Sequence, residues 1–256
     1  MSPKNTYETV FGYIFDYTTS GNKDDRTSSG KPTYQTSAPY SYNNCCYYIP
    51  QSIRKITITK QTEIPANAFR NCDLIEEVQV PESTTKIGNH AFYYCEKLNR
   101  LNSTENGTYH FPKQVTQIES YLFSYNKLLK TLSFGELTAV GDNAFRGCVM
   151  LQSFEATAIQ NIGSSAFLEC AMLENVQTGD VLQTIGAYAF SGCTALRRFN
   201  SGIDGKFVIP DTVTSIGSGA FKGCNAIEDI TLPFVGSSMS PKNTYETVFG
   251  YIFDYT

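Results

Sequence analysis

The chain of 256 residues has no tryptophan, two histidines (His90 and His110) and few charges, with only 17% of residues Asp, Glu, Lys or Arg. Scarce histidine bears on catalysis, because acid, base or nucleophilic chemistry needs a few such groups converging on one pocket. Gly-x-Ser-x-Gly, His-Glu-x-x-His and Walker-type signatures are all missing, and the acidic residues are scattered without pairing, so no enzyme is expected. Basic residues do not cluster either. With a net charge of -4, nothing here would grip a phosphate backbone, and nucleic acid is not an expected partner. No apolar run approaches the ~20 residues of a membrane span, and residues 1–10 lack the pattern of a secretory signal. Membrane insertion of this segment is therefore not expected, and an export signal would have to lie outside it.

What the chain does contain is repetition. A hydrophobic content of 41% suffices for a core, while 17 Tyr and many Ser, Thr, Asn and Gly suggest an extracellular or cell-surface protein. From residue 64 onward a phrase recurs: Ile-Gly, three residues, Phe, two residues, Cys, two residues, Leu, two residues, then Val or Leu. Its phenylalanines are Phe69, Phe92, Phe123, Phe145, Phe167, Phe190 and Phe221, separated by 23, 31, 22, 22, 23 and 31 residues. A period of 22 or 23 is too short for a helical-pair repeat and suits one turn of a β-solenoid, with a short strand at each Leu-x-x-Val-x-Val segment. One coil cannot bury its own Phe, Leu and Val, so neighbouring coils must cover them. With an earlier strand at Ile53, Ile56 and Ile58, eight parallel ladder strands are predicted.

The two long intervals carry insertions at residues 102–112 and 200–210, each read as an excursion on one face with a positive-φ turn at Gly107 or Gly205. Glycines 88, 141, 163, 186 and 217 follow the Ile or Val that closes a second short strand, and mark a corner that Cβ would crowd. They are never grouped, which argues against a phosphate loop.

Residues 1–18 recur unchanged as residues 239–256. Either a cassette repeats in tandem and the chain holds one period plus an overlap, or the ends were joined deliberately. In both cases the apolar segment Val10–Phe15 is expected to pack over one end of the stack, and its second copy, Val248–Phe253, over the other. The predicted division is therefore an end-packing segment at 1–18, an exposed polar loop at 19–48, the solenoid at 49–236, and the second copy within 237–256.

Cysteines 72, 95, 148, 170, 193 and 224 fall three residues after the repeat Phe, where the third coil has Asn126. A Cys or Asn at one fixed inward position suits a side chain that bonds local backbone or fills a small slot. A row of stacked thiols is no tetrahedral zinc site, so neither metal nor other cofactor is expected. Cys45 and Cys46 lie in the loop and are free to oxidise or pair between molecules. Asn102 and Asn106 stand in Asn-x-Ser/Thr patterns, relevant only in a host that glycosylates.

Residues alternating with the inward positions of each ladder strand must face outward. This defines a candidate binding strip: Lys55, Glu77, Arg100, Thr131, Ser153, Asn175, Arg198 and Asp229. Thr57, Gln79, Asn102, Ser133, Glu155, Gln177, Asn200 and Thr231 flank it. The strip is polar and mixed in sign, which suits a solvated face as well as a binding face.

The coils Ile185-Gly-Ala-Tyr-Ala-Phe-Ser-Gly-Cys-Thr-Ala-Leu196 and Ile216-Gly-Ser-Gly-Ala-Phe-Lys-Gly-Cys-Asn-Ala-Ile227 closely resemble the BspA-like leucine-rich repeats, over roughly residues 49–236. The resemblance implies a leucine-rich-repeat β-solenoid, an α+β class repeat fold, of seven to eight stacked coils. It also implies a surface or secreted protein of a bacterium or protist whose relatives serve adhesion. Host matrix or other surface proteins, and neighbouring cassettes of the same protein, are the partners it suggests. The alternative is a spacer or stalk without a specific ligand. No binding motif carries over residue by residue.

Overall fold

A computed structural model describes residues 52–200, 205–240 and 249–253, together with the backbone of short strands at Tyr17–Thr18, Tyr34–Gln35, Cys46–Tyr47 and Ile49–Pro50. The packing of Val10–Phe15 and the side chains of Cys45 and Cys46 lie outside the described residues. Most of the segment read as a polar loop does too, although Tyr34–Gln35 within it pairs antiparallel with Ile49–Pro50.

Between Ile53 and Thr231 the described residues wind as a parallel β-solenoid, and each coil contributes to three faces. On the first face lie strands Lys55–Thr57, Glu77–Gln79, Arg100–Leu101, Thr108–His110 and Thr131–Ser133, paired in that order. A second five-stranded sheet continues the same face with Ser153–Glu155, Asn175–Gln177, Arg198–Phe199, Phe207–Val208 and Ile230–Thr231. The backbone bond from Gln152 N to Lys130 O, at 3.1 Å, spans the break. A second face is a ladder of two-residue strands, each ending in the Ile or Val of the repeat: Glu63–Ile64 beside Lys86–Ile87, then Gln117–Ile118 to Ser215–Ile216.

The first ladder corrects the sequence reading. The insertions are not excursions off the stack: each adds a full rung, Thr108–His110 between Arg100–Leu101 and Thr131–Ser133, and Phe207–Val208 between Arg198–Phe199 and Ile230–Thr231. The face therefore has ten rungs instead of eight. At ~4.8 Å per strand its length is about 43 Å. Parallel neighbours ordinarily need a long crossover. Here the rungs are so short that residues 102–107 suffice, turning through positive φ at Asn102 (49°) and Gly107 (81°), and the second insertion repeats this at Asn200 (43°) and Gly205 (67°).

The third face was not anticipated. It runs through the Ala-Phe-x-x-Cys turn, where every second amide donates to the next coil: Phe69 N to Ala91 O, Phe145 N to Ala166 O and Phe190 N to Ala220 O, at 2.7–2.8 Å. Alternating right- and left-handed residues let the turns stack in this way. The residues two before and two after each repeat Phe all have positive φ, from Asn67 and Asn71 in the first coil to Gly219 and Gly223 in the seventh.

Inside, the phenylalanines form a continuous pile, with centroids 5.1 Å apart for Phe69–Phe92 and 5.5 Å for Phe190–Phe221, and planes tilted by no more than 16° along the column. All seven are fully buried. The corner glycines behave as the sequence suggests. A Cβ on Gly186 would sit 2.4 Å from Ser164 N, and one on Gly217 would sit 2.2 Å from Ala187 N.

The inward cysteines have a specific task. Beyond Cys72, whose thiol turns to Arg70 O in its own coil at 3.9 Å, each thiol reaches the carbonyl of the preceding coil's Phe: Cys95 to Phe69 at 3.0 Å, Cys148 to Phe123 at 3.2 Å, and Cys170, Cys193 and Cys224 to Phe145, Phe167 and Phe190 at 3.1 Å. Asn126 performs the same task through Nδ2, which donates to Phe92 O at 2.7 Å, while its Oδ1 accepts from the Tyr109 hydroxyl at 3.0 Å. The six thiols are free and buried, and burial raises their pKa values, that of Cys224 to about 12. They are inert packing groups.

Candidate functional site

The residues of the strip read from the sequence line up along the first face, where two further residues join them. Its register runs Lys55, Glu77, Arg100, Thr108, Thr131 on the first sheet and Ser153, Asn175, Arg198 on the second. Lys206 precedes the paired Phe207 and falls between Arg198 and Asp229. Thr108 and Lys206 were missed because their rungs were read as loops.

Along most of this strip the polar groups satisfy one another, while Asn175 Oδ1 is buried without a hydrogen-bond partner. Glu77, with 12% of its side chain exposed, accepts from Lys55 at 2.7 Å and Arg100 at 3.0 Å. The Lys55 bond, helped by Arg100, outweighs desolvation and holds the Glu77 carboxyl below its ordinary range. Thr108 and Thr131 pair hydroxyl to hydroxyl at 3.0 Å, His110 bonds Ser133, and Arg100 also donates to Asn106 Oδ1 at 2.9 Å. Glu174 draws in Arg197 at 2.8 Å and Arg198 at 3.8 Å. Asp229 is exposed. Asn102 and Asn200 do not belong to the outward row. In the left-handed conformation their Oδ1 atoms accept from Val80 N at 2.8 Å and Thr178 N at 2.6 Å, tying two coils together. The Asn102 Nδ2, the atom that a glycan would join, is buried, whereas Asn106 is exposed.

Beside the first insertion lies an open depression of about 500 Å³, lined by Glu82, Glu105 and His110 among others. Among the described residues no group of three or more His, Cys, Asp or Glu is placed to hold a metal ion.

The third face carries the more distinctive chemistry. At its left-handed corners five coils use Asn, Ser, Gly, Glu or one Tyr (Tyr188), but the second and third coils place His90, Tyr94, Tyr121 and Tyr125 there. His90 stacks on Tyr121 with centroids 4.6 Å apart, Tyr94 leans on Tyr125 at 4.3 Å, and Tyr93 meets both Tyr94 (4.8 Å) and Tyr125 (6.1 Å). Arg70 lies over Tyr93 at 4.6 Å and Arg146 over Tyr125 at 5.7 Å. The Arg146 Nε is buried without a hydrogen-bond partner. The result is a platform of five rings edged by two guanidiniums, with Tyr94 37% exposed. Burial, with Arg70 nearby, lowers the His90 pKa to about 4, and burial raises those of Tyr93 and Tyr125. At neutral pH the His90 imidazole is therefore uncharged.

Sequence reasoning weighed His90 only as one of two scarce histidines and the tyrosines only as composition. The signal was available: aligned on the repeat Phe, the positions two before and two after it are aromatic in consecutive coils, which stacking must bring together.

Ladders on two faces, a stacked turn on the third and a shared Phe column define a leucine-rich-repeat solenoid. More narrowly, the model of the BspA-type leucine-rich repeat region matches in six copies, over residues 40–110, 108–205 and 204–242, and the chain belongs to that family. None of the curated proteins compared is significantly similar in sequence. Among crystal structures, a leucine-rich repeat protein from Bacteroides ovatus is similar at 24% identity and a TM-score of 0.59, over 70% of this chain and 46% of that one. A leucine-rich repeat protein from T. pallidum is similar at 25% identity and a TM-score of 0.57, over 71% of this chain and 81% of that one. The first likeness bears on the fold alone. No helix among the described residues is long and apolar enough to cross a membrane.

Proposed function

We propose that the chain is a non-enzymatic protein-binding module of a cell-surface or secreted protein, serving adhesion, and that its contact centre is the aromatic platform of the third face. One observation carries the reading: four bulky rings, His90, Tyr94, Tyr121 and Tyr125, gather at the left-handed positions of two consecutive coils, where the other five coils use Asn, Ser, Gly, Glu and a single Tyr. Such a conformation costs roughly 1–2 kcal/mol per ordinary L-residue, and strain of this kind gathers where a surface is used. Tyr and Arg are also the residues most enriched at binding hot spots, where a rigid ring or fork loses little entropy on contact. The strip on the first face is the weaker candidate, because its charges are largely spent on each other.

The test is surface plasmon resonance against a panel of immobilised matrix proteins. Tyr94→Asn and Arg146→Ala should each weaken retention by ten-fold or more at unchanged Tm, and Arg100→Ala and Asp229→Ala should change it less than three-fold. Retention that ignores the platform variants and follows the strip variants would move the site to the first face; no retention on any matrix protein would remove the adhesion reading.

A structural spacer is the second reading, favoured by the way the repeated segment covers the end of the stack. Small-angle scattering of proteins with one and two cassettes should then show the maximum dimension growing linearly.

A further inference from the structure

Beyond Phe221 the regular coils stop, but the bonding pattern does not. Phe221 N donates to Ile252 O at 2.8 Å, as Phe190 N donates to Ala220 O at 2.8 Å, and Gly219 N donates to Tyr251 O at 2.7 Å. The Phe253 ring lies 6.2 Å from Phe221 and extends the aromatic column, tilted by 39° where the regular coils are nearly coplanar. Ile252 is completely buried in the place of the coil Ala. Ser237 O accepts from Ile216 N at 2.8 Å, beside an isolated antiparallel bridge between Ser215 and Ser238 that covers the last strand of the second ladder. Phe249-Gly-Tyr-Ile-Phe253, which includes the short helix Gly250–Phe253, is thus a shortened version of Ile216-Gly-Ser-Gly-Ala-Phe221, with one residue fewer before the final two, of which Ile252 is buried and Phe253 half-buried.

The same five residues occur at Phe11-Gly-Tyr-Ile-Phe15, inside an unbroken 18-residue identity. A surface that accepts residues 249–253 accepts that sequence whichever chain supplies it. We infer that the end of the stack formed by Ile216, Gly219 and Phe221 is a docking site for residues 11–15 of a second copy of this chain, so that molecules join head to tail whenever their own C-terminal copy is displaced. The contact is heterologous, with one end of a molecule meeting the other end of the next. Such contacts propagate into open chains unless a rotation closes them. In the intact molecule the tethered copy holds the site, because a short tether presents it at an effective concentration on the order of millimolar.

The inference deepens the spacer reading by naming the partner. Its failure would leave that reading standing, since cassettes within one chain are joined covalently whatever their ends do in solution. It is independent of the aromatic platform.

Ile252→Asp in the full chain, which places a charge in the fully buried position, should release the tethered copy. By sedimentation velocity the intact chain is expected to stay monomeric at micromolar concentration, and the variant to form oligomers that grow with concentration. A free peptide of residues 1–18 should bind the variant one to one and dissolve the oligomers. Adding Ile14→Asp to the same molecule should restore a monomer that still binds the peptide. If Ile252→Asp does not fold, as judged by circular dichroism, Phe253→Ala is a milder release with the same readouts. A folded variant that stays monomeric and ignores the peptide overturns the inference, as does association that survives Ile14→Asp.

Discussion

Asn126 stands where six other coils have cysteine, and the exchange shows what that position requires. Its amide donates to Phe92 O, as the thiols of later coils do to their own preceding Phe, and its carbonyl also holds the hydroxyl of Tyr109, a residue supplied by the first inserted rung. The larger side chain is thus matched to the insertion. Asn126→Ala would leave a buried carbonyl without its donor and cost about 1–3 kcal/mol. Asn126→Cys should cost less, because a thiol still reaches the carbonyl. Urea denaturation of the two variants measures the order, and an equal loss would show that the bond to Phe92 contributes nothing. His90 offers a second residue-scale test. Its imidazole titrates at about 4 in the fold against 6.5 in the unfolded chain. As pH falls through this window the unfolded state takes up the proton first, so the stability supplied by the neutral ring is complete above 6.5 and lost towards 4. The lowered carboxyls Glu77 and Glu174 act only below 4.5, leaving the upper part of the window to His90. Melting temperature should therefore drop between pH 6.5 and about 5, and His90→Asn, which keeps a residue tolerant of positive φ, should flatten the drop.

At the scale of the element, the coil is a device for bringing three short segments to the same height as their counterparts above and below. Glycine at the corner after five of the seven second-face strands sets the distance between coils. A methyl on Gly186 would meet backbone and not a movable side chain, with Gly163 C at 2.5 Å and Ser164 N at 2.4 Å, so relief requires the two coils to part. Gly186→Ala is expected to cost about 1–3 kcal/mol, the usual range for overpacking. Gly205→Ala is the control: it stands in open space, and its loss reflects positive φ alone. Thermal denaturation of the pair separates crowding from backbone strain, and equal losses would show that the corner is not tight. The insertions carry the lesson in register. Their aromatic-x-apolar-Pro pattern was legible as a return to the stack, but nothing local told a returning loop from an added rung, because Thr108–His110 becomes a strand only through the neighbours that pair with it.

Across the whole molecule, each coil contacts its neighbours and little else, so stability is close to a sum of coil and interface contributions. Phe145, stacked on Phe123 at 5.9 Å and on Phe167 at 5.2 Å, belongs to two interfaces at once. Phe145→Ala should cost about 3–5 kcal/mol. Its effect should also be local: hydrogen exchange is expected to quicken first at the Phe123, Phe145 and Phe167 amides, while the Phe69 and Phe221 coils keep more of their protection. Uniform loss along the chain would mean that the solenoid unfolds as one unit.

Repeat length, the inward residues, the crowded glycines and the class of fold were all present in the sequence, because a coil that cannot bury its own side chains must repeat them at a fixed period. The direction of the strip residues followed from the same alternation. What tertiary structure alone decided is which groups meet across coils. Only stacking turned tyrosines 27 and 31 residues apart (Tyr94 and Tyr121, Tyr94 and Tyr125) into one platform, spent the charges of the strip on each other and made rungs of the insertions. Such contacts depend on where one turn lands upon the next, a property of neighbouring coils that no single repeat contains.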